Sequence, residues 1–154
     1  MEQDEQEEKK QISYGKLMQK KDFDENTFIP NSVREKIKNT PFYLFIFIPA
    51  DDLIKLSIFP CQNSDVKKIL IRLKEFSPDL VKGISDVLKK FNLDIGTIHT
   101  TGLCFEAINC FYETYIDAAT LREKNISIEK VRDEFLHVQR VREVKIIDID
   151  IDSN

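Results

Sequence analysis

The sequence predicts an α+β protein made of two units, and three observations point to it. Residues 12–60 read mostly as short extended runs around one brief helix. Residues 66–152 run strand, helix, strand, strand, helix, strand. Between them, residues 61–65, CQNSD, have the composition of a linker.

A chain of 154 residues can form one ordinary domain or two small ones. Its 42% hydrophobic content can build a core, and its 32% charged content predicts a well-solvated surface. A net charge of −4 argues against a general polyanion binder and leaves room for a local basic face. The opening MEQDEQEEKK is acidic and has no apolar core, so residues 1–11 read as a disordered acidic N-terminus and not as a signal peptide. The longest apolar run, PFYLFIFIPA, stops at Asp51 and Asp52, too short to span a bilayer.

Cys61, Cys104 and Cys110 form an odd set without C-x-x-C spacing. If Cys104 and Cys110 share one extended strand, they lie about 20 Å apart and cannot bridge. That arrangement fits a reducing compartment, so the expectation is a soluble cytoplasmic protein with no membrane partner.

In the first unit, ISYGKLMQ reads as a strand, DFDEN as a polar turn and TFIP as a second short strand. NSVREKIK is the helix. Pro30 ends the extended run and pre-sets φ for a helical start, and Ser32 to Glu35 fits a capping box. FYLFIFI and LIKLSIF are two strands joined through PADD. In the first of these, Phe42, Leu44, Ile46 and Ile48 alternate with Tyr43, Phe45 and Phe47, so both faces are apolar and both require cover. A unit this small cannot bury both alone, which predicts a partner, most simply a second copy of the chain.

In the second unit, KKILIRLKEF is a strand with Ile69, Ile71 and Leu73 on one face. Leu80, Ile84, Val87, Leu88 and Phe91 recur at helical spacing. Ser77 suits an N-cap, Pro78 the first helical position, and Asp79 the first turn. DIGTIHTT and the longer FEAINCFYETYI read as strands. Ile128, Val131, Phe135 and Val138 mark a second helix capped by Ser127, and VREVKIIDIDI closes the chain as a strand. This βαββαβ order places both helices on one face of a four-stranded antiparallel sheet. The other face is bare unless something covers it, and Leu70, Tyr112 and Ile116 are assigned to it.

Chemistry-bearing motifs are sparse. The four glycines form no phosphate loop, and no G-x-S-x-G is present. His99 and His137 have no partners at metal-ligand spacing, so no metal, no cofactor and no catalytic residue is expected, and the chain reads as a non-enzyme. The loop KEFSPDLVKG offers free backbone N–H groups at a helix start; it either receives a ligand carboxylate or simply begins a helix well. In the first unit, Lys16, Lys20, Lys21 and Arg34 would form one basic surface for phosphates if two copies pair, or an ordinary solvated face.

DFDENTFIPNSVREKI followed by a strand pair resembles the AbrB/SpoVT swapped-hairpin family of DNA-binding domains, through Ile29, Pro30, Val33, Arg34 and Ile37. The resemblance covers residues 12–60 and implies an intertwined homodimer that contacts DNA, with Arg34 carried over from the family pattern. Glu25 and Asn26 stand where the family has Gly-Arg, and Asn31 stands where it has Lys. EFSPDLVKGISDVLKKFNLDIGTI resembles the ACT family of ligand-sensing domains, through Pro78, Leu80, Ile84, Val87, Leu88, Leu93, Asp94, Ile95 and Ile98. That resemblance covers residues 66–152 and implies a ferredoxin-like fold, pairing with a second copy, and an amino-acid ligand. The ligand site it implies comprises Phe76, Ser77, Pro78, Asp79, Leu80 and Asp94, with Asp94 or Asp79 as a substitute acceptor for the ligand amino group. Phe76 and Asp79 occupy the family's Asp and Gly positions.

Together the two resemblances imply a transcriptional regulator: a DNA-binding dimer modulated by an amino acid, with two distinct interfaces that would also allow a tetramer. The alternative is a regulatory or interaction subunit that does not bind DNA.

Overall fold

A computed structural model describes residues 11–106 and 109–151. Its first strand, β1, spans Tyr14–Gln19 and runs into a helical turn, α1, at Lys20–Glu25. After α2, Asn31–Arg34, the long hairpin follows as β2, Phe42–Pro49, and β3, Ile54–Cys61. These strands make an antiparallel sheet in the order β1-β2-β3. The second half gives β4, Val66–Leu73; α3, Pro78–Lys90; β5, Thr97–Glu106; and β6, Asn109–Asp117. It ends with α4, Ala119–Glu123; α5, Ile128–Leu136; and β7, Val141–Asp148. The four strands lie in the order β5-β6-β4-β7, every neighbouring pair antiparallel, which is the expected split-βαβ topology.

The helices of the second half start where their caps predict. Ser77 Oγ accepts from the Leu80 N–H at 3.1 Å, and Ser127 Oγ from the Lys130 N–H at 3.2 Å. Leu80, Ile84, Val87 and Leu88 from α3, with Val131 and Phe135 from α5, close over Ile69, Ile71, Leu73 and Val144. Gly83 lets α3 approach the end of α5, because a Cβ there would sit 2.8 Å from a Val138 methyl carbon.

Several sequence expectations fail locally. DFDEN is not a turn but α1, because one helical turn drives Phe23 inward to stack on Tyr43, ring centroids 3.8 Å apart. TFIP is not a strand: Ile29 is buried while Phe28 is 70% exposed, and α2 begins directly after Pro30. The Ser32–Glu35 capping box does not form, since Pro30 itself holds the N-cap position. FEAINCFYETYI is not one strand: β5 ends at Glu106 and β6 begins at Asn109, antiparallel to it, with no glycine or proline in the sequence to announce the break. Cys104 and Cys110 therefore face each other across β5 and β6, Cα atoms 4.0 Å apart, and form a disulfide. The argument for a reducing compartment rested on their separation and falls with it. Residues 1–10 of the expected acidic N-terminus, Ala107 and Ile108 of the expected long strand, and Asp152 of the expected last strand lie outside the described residues.

The larger correction concerns what covers the bare face. Tyr112 and Ile116 lie on the helix side, because Cys110, Tyr112, Thr114 and Ile116 share one parity of β6. The opposite face, with Lys68, Glu113 and Tyr115, is covered by the first sheet of the same chain. Leu17, Leu44, Ile46 and Cys61 pack there against Val66, Tyr115 and Ile149. Gly15 permits the contact: a Cβ would stand 2.5 Å from Cε1 of Tyr115. The other face of β2 is covered by Phe23 and Ile29, which pack on Tyr43 and Phe45. Both apolar faces of β2 thus find partners within one chain, and β1 pairs with β2 of its own hairpin unit, so the burial argument for a swapped second copy no longer holds.

A buried polar cluster pins the two halves. Lys68 and Glu113 are 1% and 0% exposed and form an ion pair at 2.9 Å. Lys68 also donates to Ser13 O at 2.6 Å and Gln11 Oε1 at 2.8 Å. Glu113 accepts from the N–H groups of Ile12 and Ser13, at 2.6 and 3.0 Å, and from the Ser13 hydroxyl. Desolvation holds the Lys68 ammonium below the usual lysine range, opposed by Glu113.

Removing one partner leaves the other charge buried and unpaired, so Glu113→Leu is expected to cost about 3–5 kcal/mol. Urea unfolding of the two proteins would read this as a lower midpoint at unchanged m-value. A second expectation is alkaline. Burial pushes the Cys61 thiol from 9.0 up to about 11. The folded state then holds its proton more tightly than the unfolded state. That stabilisation is complete below pH 9.0 and is lost as pH rises toward about 11. Urea midpoints from pH 8 upward should fall less steeply for Cys61→Ala.

Candidate functional site

Beside α3 lies an open groove of about 760 Å³, lined by Phe76, Ser77, Pro78, Val81, Lys82 and Lys89 among others. The lining follows from helix geometry: positions 78, 81, 82, 85 and 89 share one flank of α3, away from the buried Leu80–Ile84–Val87–Leu88 stripe. Phe76 forms the end wall. Its ring lies over Gly102 on β5, where a Cβ would stand 2.8 Å from the ring Cζ. Phe76 remains 36% exposed, so part of the ring faces the groove and solvent. Lys82 pairs with Asp86 at 2.7 Å, one turn along the helix. Apolar Phe76, Pro78 and Val81 beside this charged pair suit a small molecule with an apolar side group and polar ends.

A narrower cleft of about 180 Å³ flanks the other side of the same helix start, between Asp79, Gly83, Val138 and Arg140. Arg140 there pairs with Glu75 at 3.4 Å.

The residues of the sequence-predicted ligand site separate into three places. Phe76, Ser77, Pro78 and Asp79 stay together at the start of α3. Ser77 Oγ is engaged in capping. Leu80 turns into the core at 2% exposure. Asp94 lies beyond the far end of α3, whose 13 residues span about 20 Å. It is exposed there and cannot serve as an acceptor for a ligand held beside Ser77.

The predicted basic surface is also redistributed. Arg34 is a brace for the segment between α1 and α2. Its guanidinium donates to Asp24 O at 2.7 Å, Ile29 O at 2.9 Å, Asn31 Oδ1 at 3.2 Å, and Asn26 O. The same group lies over the Phe23 ring, 5.8 Å from its centroid. Lys20 pairs with Asp24 within α1. Lys16 sits on β1 opposite Phe45, and Lys21 is exposed on α1.

Both histidines have local roles. His99 Nε2 and Thr101 Oγ1 are 2.9 Å apart, and the ring lies against Phe59. His137 caps α5 with Nδ1 2.6 Å from Asp133 O. Among the described residues no cluster of three His, Cys, Asp or Glu side chains is arranged to hold a metal, and no helix is long and apolar enough to cross a membrane. No protein-family model matches the chain, and a search of curated proteins finds no significant match.

Sequence reasoning missed Gly102 as the seat of Phe76 and missed the Lys68–Glu113 pair. For Glu113 a signal was present, since it stands between the aromatic residues Tyr112 and Tyr115 in mid-strand; Lys68 shares its strand with Lys67 and Arg72 and did not stand out. Gly102 gave none, because its partner is 26 residues away.

Arg34→Ala is expected to destabilise the protein by about 1.5–3 kcal/mol, since hydrogen bonds from a charged donor to four acceptors are lost. Arg34→Lys should recover little, because a point ammonium cannot span several carbonyls. Thermal unfolding of the three proteins measures this.

Proposed function

We propose that this chain is a regulatory or interaction module that takes up a small amphipathic ligand, an amino acid in the first instance, in the groove beside α3. Its first sheet serves as an internal cover for the second and not as a DNA reader. The observation that carries this reading is the engagement of Arg34: the one basic residue carried over from the DNA-binding family pattern donates inward to backbone carbonyls. The groove supports the ligand half of the reading, since Phe76, Pro78 and Val81 offer apolar contact beside Ser77 and Lys82. The ACT-like pattern of residues 66–152 supports it further, through the same loop and helix.

DNA-binding regulation remains the second reading, and one observation favours it. The Lys20 N–H donates to Pro41 O at 2.9 Å, which brings α1 beside the loop before β2. Lys20, Lys21, Lys36 and Lys38 therefore share one end of the first sheet. Asp22, Asp24, Glu25 and Glu35 share that end too, so the local field is mixed rather than basic.

Two measurements separate the readings. Thermal shift against the twenty amino acids should give a concentration-dependent rise for at least one, abolished by Phe76→Ala. Retention on heparin should be absent at low salt. Retention lost at moderate salt and weakened by Lys20→Ala and Lys21→Ala would instead favour the DNA reading.

A further inference from the structure

The disulfide and the groove meet on the same face of the second sheet. Cys104 and Cys110 are direct cross-strand partners near the end of the β5–β6 pair. β5 is the outer strand of its sheet and is hydrogen-bonded on one side only. Cys110 is buried in the core under the helices, whereas Cys104 is exposed. Gly102 stands two residues before Cys104 on the same face of β5 and carries the Phe76 ring that closes the groove. The third cysteine, Cys61, is buried between the sheets.

We propose that Cys104–Cys110 is a thiol-exchange site for a dithiol reductant, and that its state latches the Phe76 wall of the α3 groove. Cys104 is exposed and Cys110 is buried, so exchange begins at Cys104. A thiolate of the dithiol attacks Cys104 Sγ, the Cys104–Cys110 bond breaks, and Cys110 leaves as a thiolate that takes a proton from water. The second thiol of the reductant then attacks its own sulfur in the mixed disulfide and releases Cys104. Two electrons pass to the protein, the dithiol ends as a disulfide, and Cys104 and Cys110 end as thiols. The end of β5 then keeps its hydrogen bonds to β6 and the Phe105–Phe111 ring contact, all on one side. Fraying of that end removes the flat backbone at Gly102 on which Phe76 rests. The importance of the latch for ligand uptake rests on the function proposed above; its existence does not.

The test uses the full chain and dithiothreitol as the dithiol. Thiols titrated after denaturation should number one before treatment and three after native treatment. Amide exchange measured by mass spectrometry should then quicken by about tenfold over residues 99–105 and 75–82, with β2 unchanged. Gly102→Ala supplies an independent arm. With the disulfide intact it should quicken residues 75–82 alone, because the added methyl group displaces Phe76. Three thiols before treatment, or full reduction with unchanged exchange over 75–82, would overturn the proposal. Neither readout uses a ligand, so a failed ligand screen and a failed latch are separately visible.

Discussion

The ion pair between Lys68 and Glu113 is the constraint on which the rest of the architecture turns. Two charges withdrawn from water are costly unless every donor and acceptor finds a partner. Here the partners come from the N-terminal segment: Gln11, Ile12 and Ser13 supply an amide oxygen, a carbonyl, two N–H groups and a hydroxyl. That segment runs directly into β1, so satisfying the pair also sets the first sheet on the second. Tyr115 extends the cluster, its hydroxyl 3.0 Å from Ser13 Oγ, and burial raises its pKa so that it stays protonated. Such a network specifies one arrangement where apolar contact alone would allow several.

From this arrangement follows the division of labour in the molecule. The four-stranded sheet is covered on one side by α3 and α5 and on the other by the three-stranded sheet. The first sheet is covered in turn by Phe23 and Ile29, and Arg34 braces the loop that carries them. Lys68, Glu113, Tyr115 and Arg34 are occupied in holding these layers. The flank of α3 stays open, where Phe76 leans on Gly102 and leaves a groove.

The sequence was most legible where periodicity and capping act locally. The Ser77–Pro78 start of α3 and the alternation through Ile69, Ile71 and Leu73 both appear as read. The order of elements in the second half follows from the same signals. The sequence was least legible where the deciding contact is distant. Phe23 becomes helical because Tyr43 offers it a stacking surface, and no glycine or proline in the sequence marks where β5 ends at Glu106 and β6 begins at Asn109. The two apolar faces of β2 were readable, but the choice between a second copy and the chain's own second half was not. That choice lies in the pairing of Lys68 with Glu113, 45 residues apart, and of both with Ser13. The candidate site divides in the same way. Its helix start was visible in the sequence, whereas the burial of Leu80 and the length of α3 that separates Asp94 from Ser77 were not.

The central claim is that the N-terminal segment is built into the body of the protein through the buried ion pair. Residue-resolved amide exchange of the intact chain by NMR tests it most directly. The account predicts that the Ile12 and Ser13 amides, which donate to Glu113, exchange as slowly as those of β4 and β6. Fast, terminus-like exchange at Ile12 and Ser13 while β4 and β6 stay protected would contradict it. The first sheet would then be only loosely associated with the second, and the swapped dimer would return as the way to cover β2.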